Sequence, residues 1–262
     1  MKTNIIYNDD CIEVLNDRKK IKSSSVQLIF ADPPYNLSGN GLKLKGNTTG
    51  GDWAMVNEEW DKMSFDEYID FTNSWIKASK EVLKDNGSIF IACSYHNIGE
   101  CTMSLKQNGF DIKNIITWHK TNAMPNLTRR VLTHTTEFII WAVKAKGWIF
   151  NYEVLKELNP NKKKDGTSKQ MRDIWEFPLV QGKERLKDEK TNKALHPTQK
   201  PQEMLKRIIL GFSNKNDLVL DPFSGSGTTA YVAKKYERNY IAIEKDKRYY
   251  EASIRRIESL ES

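Results

Sequence analysis

The sequence of 262 residues contains only three cysteines, and none of its apolar runs approaches the length needed to cross a bilayer. Cys11, Cys93 and Cys101 lack CxxC spacing, so neither a disulfide framework nor a zinc site is indicated, and we expect no metal. The amino terminus turns acidic at Asp9 and Asp10, which is too early for a secretory signal peptide. These absences favour a protein of the reducing cytoplasm that has no membrane partner.

Acidic residues are also in the minority, with 34 against 41 basic residues, which gives a net charge of +7. A positive net charge suits a polyanionic partner such as nucleic acid, although many basic proteins bind none. Hydrophobic residues make up 39% of the chain, enough for the core of a single elaborated domain. Composition therefore permits nucleic-acid binding, and only motifs can establish it.

Short apolar strands alternate with amphipathic helices along most of the chain. Strands are predicted over 26–31, 88–93, 112–118, 136–143, 218–220 and 240–243, and helices over 64–83, 96–107, 201–210, 228–235 and 247–260. Ser64 and Glu67 form a capping box for the first long helix, and Gly87 is predicted to cap its far end in a polar turn. The alternation predicts an α/β fold with a mostly parallel sheet and helices on both faces.

Two stretches do not fit this alternation. Residues 36–63 are rich in glycine, asparagine and threonine and are predicted to form a mobile loop near the active site. Residues 145–195 are polar and lysine-rich without a clear period. Because long irregular insertions in a compact domain usually serve a function or are disordered, we predict one domain made of 1–144 and 196–262, interrupted by the insertion 145–195.

A glycine-rich turn joins the strand 218–220 to the helix 228–235, and it reads Asp221-Pro222-Phe223-Ser224-Gly225-Ser226-Gly227-Thr228-Thr229. Glycine has no Cβ, so a ligand can approach the backbone N–H groups of such a turn closely. Glu244 follows the next strand at a spacing suited to binding a ribose. Neither a Walker lysine nor GxGxxG is present, which favours an adenosine cofactor without phosphate. A tight turn with no ligand is the alternative interpretation.

A second motif, Asp32-Pro33-Pro34-Tyr35, follows the strand 26–31. Its two prolines fix φ and remove two N–H donors, so the Asp32 carboxylate and the Pro33 carbonyl are available as acceptors. Together they could accept both hydrogens of an aromatic amino group and aim its lone pair at a methyl donor, while Tyr35 stacks on the base. The alternative is a turn in which Asp32 caps a backbone group, and the agreement of the motifs disfavours it.

In this order, the two motifs resemble the S-adenosylmethionine-dependent amino DNA methyltransferases of restriction–modification systems, specifically the β-order group. Further matching segments are Asn8-Asp9-Asp10-Cys11 and His196-Pro197-Thr198-Gln199-Lys200-Pro201. Thr121-Asn122-Ala123-Met124-Pro125-Asn126, followed by Thr135-Thr136-Glu137, resembles enzymes that methylate adenine in GATC or GANTC sites. The resemblance implies a Rossmann-like methyltransferase fold with a permuted motif order, and 145–195 becomes the target-recognition region.

The resemblance also implies the site. An aspartate rather than a serine at position 32 points to N6 of adenine, with Asp32, Pro33, Pro34 and Tyr35 as catalytic residues. The residues that would bind S-adenosylmethionine are Asp10, Cys11, Asp32, Thr198, Lys200, Asp221, Phe223, Ser224, Gly225, Ser226, Gly227, Thr228 and Glu244. N4 of cytosine, an RNA base and a non-catalytic DNA-binding role on the same scaffold remain as alternatives.

A duplex hides the amino group of adenine, so the base must be flipped out at a cost of a few kcal/mol. The residues expected to contact DNA are Lys120, Asn122, Asn126, Arg129, Arg130, Lys162, Lys163, Lys164 and Arg172. Any single lysine among them is more often a solvated surface charge. Trp175 and Phe177 are expected to pack in a local core rather than insert as a wedge. The resemblance allows for a cognate restriction endonuclease and for a homodimer.

Overall fold

The computed structural model describes residues 1–36, 43–44, 53–54, 62–126, 129–188, 191–196 and 198–260. Its strands are β1 (Ile5–Tyr7), β2 (Val26–Ala31), β3 (Lys43–Leu44), β4 (Trp53–Ala54), β5 (Leu83–Cys93), β6 (Asp111–Lys120), β7 (Thr136–Val143), β8 (Ile174–Phe177), β9 (Leu218–Asp221) and β10 (Asn239–Ile243). Its helices are α1 (Cys11–Asn16), α2 (Phe65–Val82), α3 (Ile98–Gln107), α4 (Tyr152–Glu157), α5 (Gln202–Phe212), α6 (Thr228–Lys235) and α7 (Lys247–Glu258). Of the helices in these ranges, none is long and apolar enough to cross a membrane.

Eight strands form one central sheet in the order β1-β10-β9-β2-β5-β7-β6-β8. Neighbouring strands run parallel from β1 to β5, β7 runs antiparallel to both β5 and β6, and β8 is parallel to β6. Strand β2 is central, and all six of its residues are buried. A strand buried on both faces is what a parallel sheet covered by two helical layers requires.

The two faces of the sheet carry separate halves of the core. Alternate residues of β2 point to opposite faces, so Leu28 and Phe30 belong to one buried cluster and Ile29 and Ala31 to the other. Helices α5 and α6 contribute to the first cluster, and α1, α2 and α3 contribute to the second. The mostly parallel α/β sandwich expected from the sequence is therefore observed.

Helix α2 begins as predicted and ends differently. The Ser64 hydroxyl accepts a hydrogen bond from the Glu67 N–H, and the Glu67 carboxylate accepts one from the Ser64 N–H, which completes the capping box. The predicted polar turn capped by Gly87 is wrong, because β5 starts directly after α2 and residues 84–87 form an irregularity in its pairing with β2. A Cβ at Gly87 would lie 2.7 Å from the Leu83 side chain, so the glycine allows close packing.

Part of the predicted insertion 145–195 joins the central sheet. Strand β8 pairs with β6 at the sheet edge, and its exposure alternates along the strand. Trp175 and Phe177 are buried at 3% and 7% exposure, as expected for core packing. In the predicted mobile loop 36–63, the Asn36 side-chain amide bonds both the N–H and the carbonyl of Met63. Apart from β3 and β4, most of that loop lies outside the described residues.

Candidate active site

A cavity of about 650 Å³ opens at the carboxyl ends of the parallel strands, where ligands of open α/β sheets bind. Asp221 ends β9 there, Asp32 and Glu244 directly follow β2 and β10, and the loop after β1 adds Asp10. The predicted site residues that line this cavity are Asp10, Cys11, Asp32, Pro33, Pro34, Tyr35, Thr198, Lys200, Asp221, Phe223, Ser224, Gly225, Ser226, Thr228 and Glu244. Two motifs that are remote in the sequence therefore share one cavity.

Each carboxylate oxygen of Asp32 has its own donor. The Tyr35 hydroxyl donates to Oδ1 at 2.9 Å, and the Lys200 ammonium donates to Oδ2 at 2.6 Å. The Pro34 carbonyl accepts a hydrogen bond of 2.9 Å from the Tyr68 hydroxyl. Within the described residues no donor reaches the Pro33 carbonyl, so this oxygen remains available to a ligand. The carboxylate is thus held by two donors, and each of its oxygens keeps lone-pair capacity to accept a further hydrogen bond.

A chain of alternating charges extends from Asp32 into the protein. Lys200 is 6% exposed, and its ammonium lies 3.9 Å from the Glu137 carboxylate, which in turn accepts a hydrogen bond of 3.2 Å from Lys120. Burial acts to lower the pKa of Lys200, but the carboxylates of Asp32 and Glu137 outweigh it and raise the pKa above its usual value. Lys200 therefore stays charged and holds Asp32, while Lys120 points inward toward Glu137.

The glycine turn is held together by two carboxylates. The buried Asp221 accepts a hydrogen bond of 2.9 Å from the Phe223 N–H, and burial raises its pKa to about 7. Glu244 accepts hydrogen bonds from the N–H groups of Gly225 and Asp246, at 2.7 and 2.8 Å. Burial raises the pKa of Glu244 to about 7 as well. Each oxygen of Glu244 keeps a lone pair with which to accept from a hydroxyl group.

The two glycines of the turn serve different contacts. Both have left-handed φ values, +51° for Gly225 and +73° for Gly227, which favour glycine. Gly225 lines the cavity, whereas Gly227 does not. A Cβ at Gly227 would lie 2.6 Å from the Cβ of Ser253, so its missing side chain allows α7 to pack against the turn.

Several residues of the site escape the sequence analysis. Phe71 lies between Tyr68 and Trp75 at helical spacing, a signal that was available, and its ring meets Phe223 edge-to-face at 6.0 Å. Tyr249 lines the cavity and packs edge-to-face on His196 at 4.7 Å. Burial lowers the pKa of His196 to about 4, so the imidazole is neutral at neutral pH.

Arg256 also escapes the sequence analysis, because only the packing of α7 brings it beneath the glycine turn. From α7 it donates to the Ser226 carbonyl at 3.0 Å and to the Thr228 hydroxyl at 2.8 Å. Within the described residues, no group of three or more histidine, cysteine or acidic side chains is arranged to hold a metal ion.

The residues predicted to contact DNA lie in two segments. Asn126, Arg129 and Arg130 belong to the loop between β6 and β7, and both arginines are exposed. Lys162, Lys163, Lys164 and Arg172 are exposed between α4 and β8. Asn122 instead clasps the backbone of Leu179, accepting from its N–H at 2.6 Å and donating to its carbonyl at 3.3 Å.

The chain matches known proteins over nearly its whole length. A family model described as a DNA methylase matches residues 26–255. The type II methyltransferase M2.DpnII of Streptococcus pneumoniae is 43% identical over 261 residues, covering 97% of this chain and 90% of its own. M.HinfI of Haemophilus influenzae is 41% identical over 260 residues, 98% of this chain and 69% of its own. The crystal structure of an M1.HpyAVI–SAM complex has a TM-score of 0.67 at 31% identity, covering 96% of this chain and 98% of the other.

These similarities confirm the methyltransferase-type α/β fold and the expected resemblance to DNA methyltransferases of restriction–modification systems. The expectation of an enzyme that methylates DNA is confirmed with them. The matched region includes both motifs and the strands β2, β9 and β10, which lead to Asp32, Asp221 and Glu244 in the cavity. On the strength of the family model and of relatives above 40% identity, the chain belongs to the family of DNA methylases.

Proposed function

We propose that this DNA methylase transfers the methyl group of S-adenosylmethionine to N6 of an adenine flipped out of a short DNA target. The observation that carries the proposal is the joint cavity, which is lined by Asp32 and Pro33 of one motif and by Glu244 near the other. This arrangement fits two ligands. Asp32 and Pro33 would hold the amino group of a base, and Glu244 would hold the nucleoside of a cofactor.

The residues of the glycine turn fit the cofactor. The Ser224 hydroxyl borders the cavity and is buried without a hydrogen-bond partner among the described residues, so it can bond a ligand. Glu244 would accept from the ribose hydroxyls, and Phe223 offers an aromatic surface. The M1.HpyAVI structure, 31% identical to this chain, contains SAM. When bound, the cofactor supplies an activated methyl group on a sulfonium.

The amino group is prepared by the chain's own residues. Asp32 and the Pro33 carbonyl would accept its two hydrogens, which directs the nitrogen lone pair away from the ring plane. As the nitrogen bonds to the methyl carbon, the carbon–sulfur bond would break with its electron pair left on sulfur, and the nitrogen would become positive and have to give up one hydrogen as a proton. Asp32 lies where its carboxylate can hold that proton, and Lys200 keeps the carboxylate oriented. Fixed geometry of this kind lowers the barrier chiefly through positioning.

The assignment to adenine rests on aspartate at position 32, as the sequence resemblance implies. N4 of cytosine presents a similar amino group and is the principal alternative, and an RNA base is the second. For DNA binding we propose Lys120, Asn122, Asn126, Arg129, Arg130, Lys162, Lys163, Lys164 and Arg172, with 145–195 as the target-recognition region. Of these, Lys120 and Asn122 would have to exchange their bonds to Glu137 and Leu179 for contacts with DNA. A cognate restriction endonuclease, a homodimer and a cytoplasmic location complete the proposal.

Mapping of modified bases tests the proposal directly. The protein is expressed in cells without other adenine methylation, and N6-methyladenine is read by position in their DNA, with Asp32→Ala as the matched control. We expect one short motif to be fully modified by the wild type and unmodified by D32A, while D32A still binds S-adenosylmethionine. Modified cytosine, or transfer only to RNA, would contradict the assignment to adenine in DNA.

A further inference from the structure

In the loop between β6 and β7, the described residues 129–135 present apolar side chains to solvent. Leu132 is 89% exposed and Val131 is 60% exposed. Arg129 and Arg130 precede them directly, and both are exposed. Apolar residues at such exposure, next to guanidinium groups that can reach phosphates, mark a surface that becomes covered when a polyanion binds.

The base of this loop lies beside the catalytic carboxylate. The Lys120 N–H donates to the Thr135 carbonyl at 2.7 Å, which closes the loop where the two strands meet. The Lys120 ammonium bonds Glu137, and Glu137 lies next to Lys200, the donor that holds Asp32. A base positioned at Asp32 would therefore leave its duplex close to this loop.

An aromatic stack holds the end of the loop that leads into β7 at the same edge of the sheet as Asp32. The rings of Tyr95 and His134 stack with their centroids 4.7 Å apart and an interplanar angle of 15°. Tyr95 follows the carboxyl end of β5, and β5 pairs in parallel with β2, the strand that directly precedes Asp32. Leu132 stands two residues before His134, so this stack limits how far Leu132 can lie from the active-site edge.

We infer that Leu132 enters the DNA duplex and occupies the space that the flipped adenine leaves. The inference rests on the proposed function, since only an enzyme that extrudes its target base creates such a space. Apolar side chains inserted between bases are an established way to stabilise an unstacked step. Leu132 suits the role better than Val131, because it is more exposed and its unbranched Cβ gives it a longer reach.

The test compares Leu132→Ala with Leu132→Met, which keeps an apolar side chain of similar size, and with Met103→Ala. Met103 is an exposed apolar residue of α3 and is 46% exposed. Single-turnover methylation is measured on the duplex site identified by mapping, with thymine, mismatched cytosine or an abasic position opposite the target adenine. Flipping is followed separately by the fluorescence of 2-aminopurine placed at the target position.

We expect L132A to lose about tenfold or more of the rate on the matched duplex, together with the fluorescence increase. The abasic partner should restore the rate to within about twofold of wild type, because little base pairing remains to be broken. L132M and M103A should follow wild type on all three duplexes. An L132A variant that equals wild type on the matched duplex, or that is equally slow on all three, would overturn the inference. A wild type that methylates no DNA would instead remove the proposed function.

Discussion

At the scale of single residues, two of the carboxylates that line the cavity, Asp32 and Glu244, lie in different electrostatic settings. Asp32 is bonded by the Lys200 ammonium, whereas the donors to Glu244 among the described residues are neutral backbone N–H groups. Burial near neutral donors disfavours the ionised form, and this raises the pKa of Glu244 to about 7. The cofactor side of the cavity is therefore sensitive to pH in the neutral range.

Cofactor affinity should fall as the pH decreases from 8 to 6. Glu244 is mostly ionised above pH 7 and mostly protonated below it, and the ionised form is the better acceptor for ribose hydroxyls. If only the ionised form binds, affinity at pH 6 drops by about tenfold relative to its plateau. Titration calorimetry with S-adenosylmethionine at several pH values measures this change.

Asp221 titrates in the same range, since burial raises its pKa to about 7. Glu244→Gln serves as the control, because it should bind more weakly and lose the part of the pH dependence that belongs to Glu244. An affinity that is the same at pH 6 and pH 8 in the wild type would contradict the role assigned to this carboxylate.

At the scale of elements, α2 positions the catalytic motif from one side. Its Tyr68 hydroxyl bonds the Pro34 carbonyl and accepts a hydrogen bond of 3.0 Å from Asn97. Its Trp75 meets Phe223 edge-to-face at 5.3 Å. One helix thus contacts the motif that would hold the base and the motif that would hold the cofactor.

Removing the Tyr68 hydroxyl should lower kcat while leaving cofactor affinity nearly unchanged. A lost hydrogen bond of this kind is worth about 0.5–1.5 kcal/mol, so we expect Tyr68→Phe to reduce kcat about two- to tenfold. Ser64→Ala is the matched control on the same helix, since loss of its cap costs about 1 kcal/mol of stability without touching the site. Single-turnover rates and urea denaturation separate the two effects. Equal loss of kcat in both variants would show that α2 acts only through stability.

Helix α2 and strand β8 show which parts of the secondary structure can be predicted from local sequence patterns. The start of α2 follows from the sequence because a capping box involves only neighbouring residues. Its end does not, since residues 84–87 have the composition of a turn but form an irregularity within β5, between Leu83 and Ser88, which both pair with β2. The sequence does not predict β8 either, because its four residues become a strand only through their partners in β6. Features that depend on neighbouring residues, such as a helix cap, are therefore predictable from the sequence, whereas strands that depend on remote partners are not.

In the candidate site, too, some features follow from local motifs and others depend on partners remote in the sequence. Asp32, Gly225 and Glu244 follow from short motifs at the ends of predicted strands, and all three line the cavity. The inward orientation of Lys120 depends on Glu137, and the clasp of Asn122 depends on Leu179. These partners come together only in the folded sheet, so spacing along the chain does not reveal them.

At the scale of the whole molecule, the net charge of +7 contributes to binding in a way that salt can measure. For duplex DNA, the logarithm of the binding constant falls with the logarithm of salt concentration, with a slope of about −0.9 for each phosphate contacted. We expect the double variant Arg129→Ala/Arg130→Ala to reduce the magnitude of this slope by up to about 1.8. Lys163→Ala/Lys164→Ala should act similarly if both lysines contact phosphates.

The control is Lys19→Ala/Lys22→Ala, which removes two exposed charges near α1 and matches the change in net charge. Fluorescence anisotropy on a labelled duplex from 50 to 200 mM salt gives the slopes. If the control lowers the slope as much as the arginine pair does, binding follows net charge rather than the β6–β7 loop.

The pairing of β1 with β10 places the first strand of the chain next to its last one. Asn4 and Glu258 even border the same surface cavity, so the two ends of the described chain are neighbours in space. A short linker could therefore join them, and new ends could be opened in the exposed turn at Asp165 and Gly166. Such a circular permutant would encode the glycine turn ahead of Asp32-Pro33-Pro34-Tyr35 and still assemble the same cavity. The order of the two motifs along the chain would then depend on where translation begins, while the cavity would depend only on which strands are neighbours in the sheet.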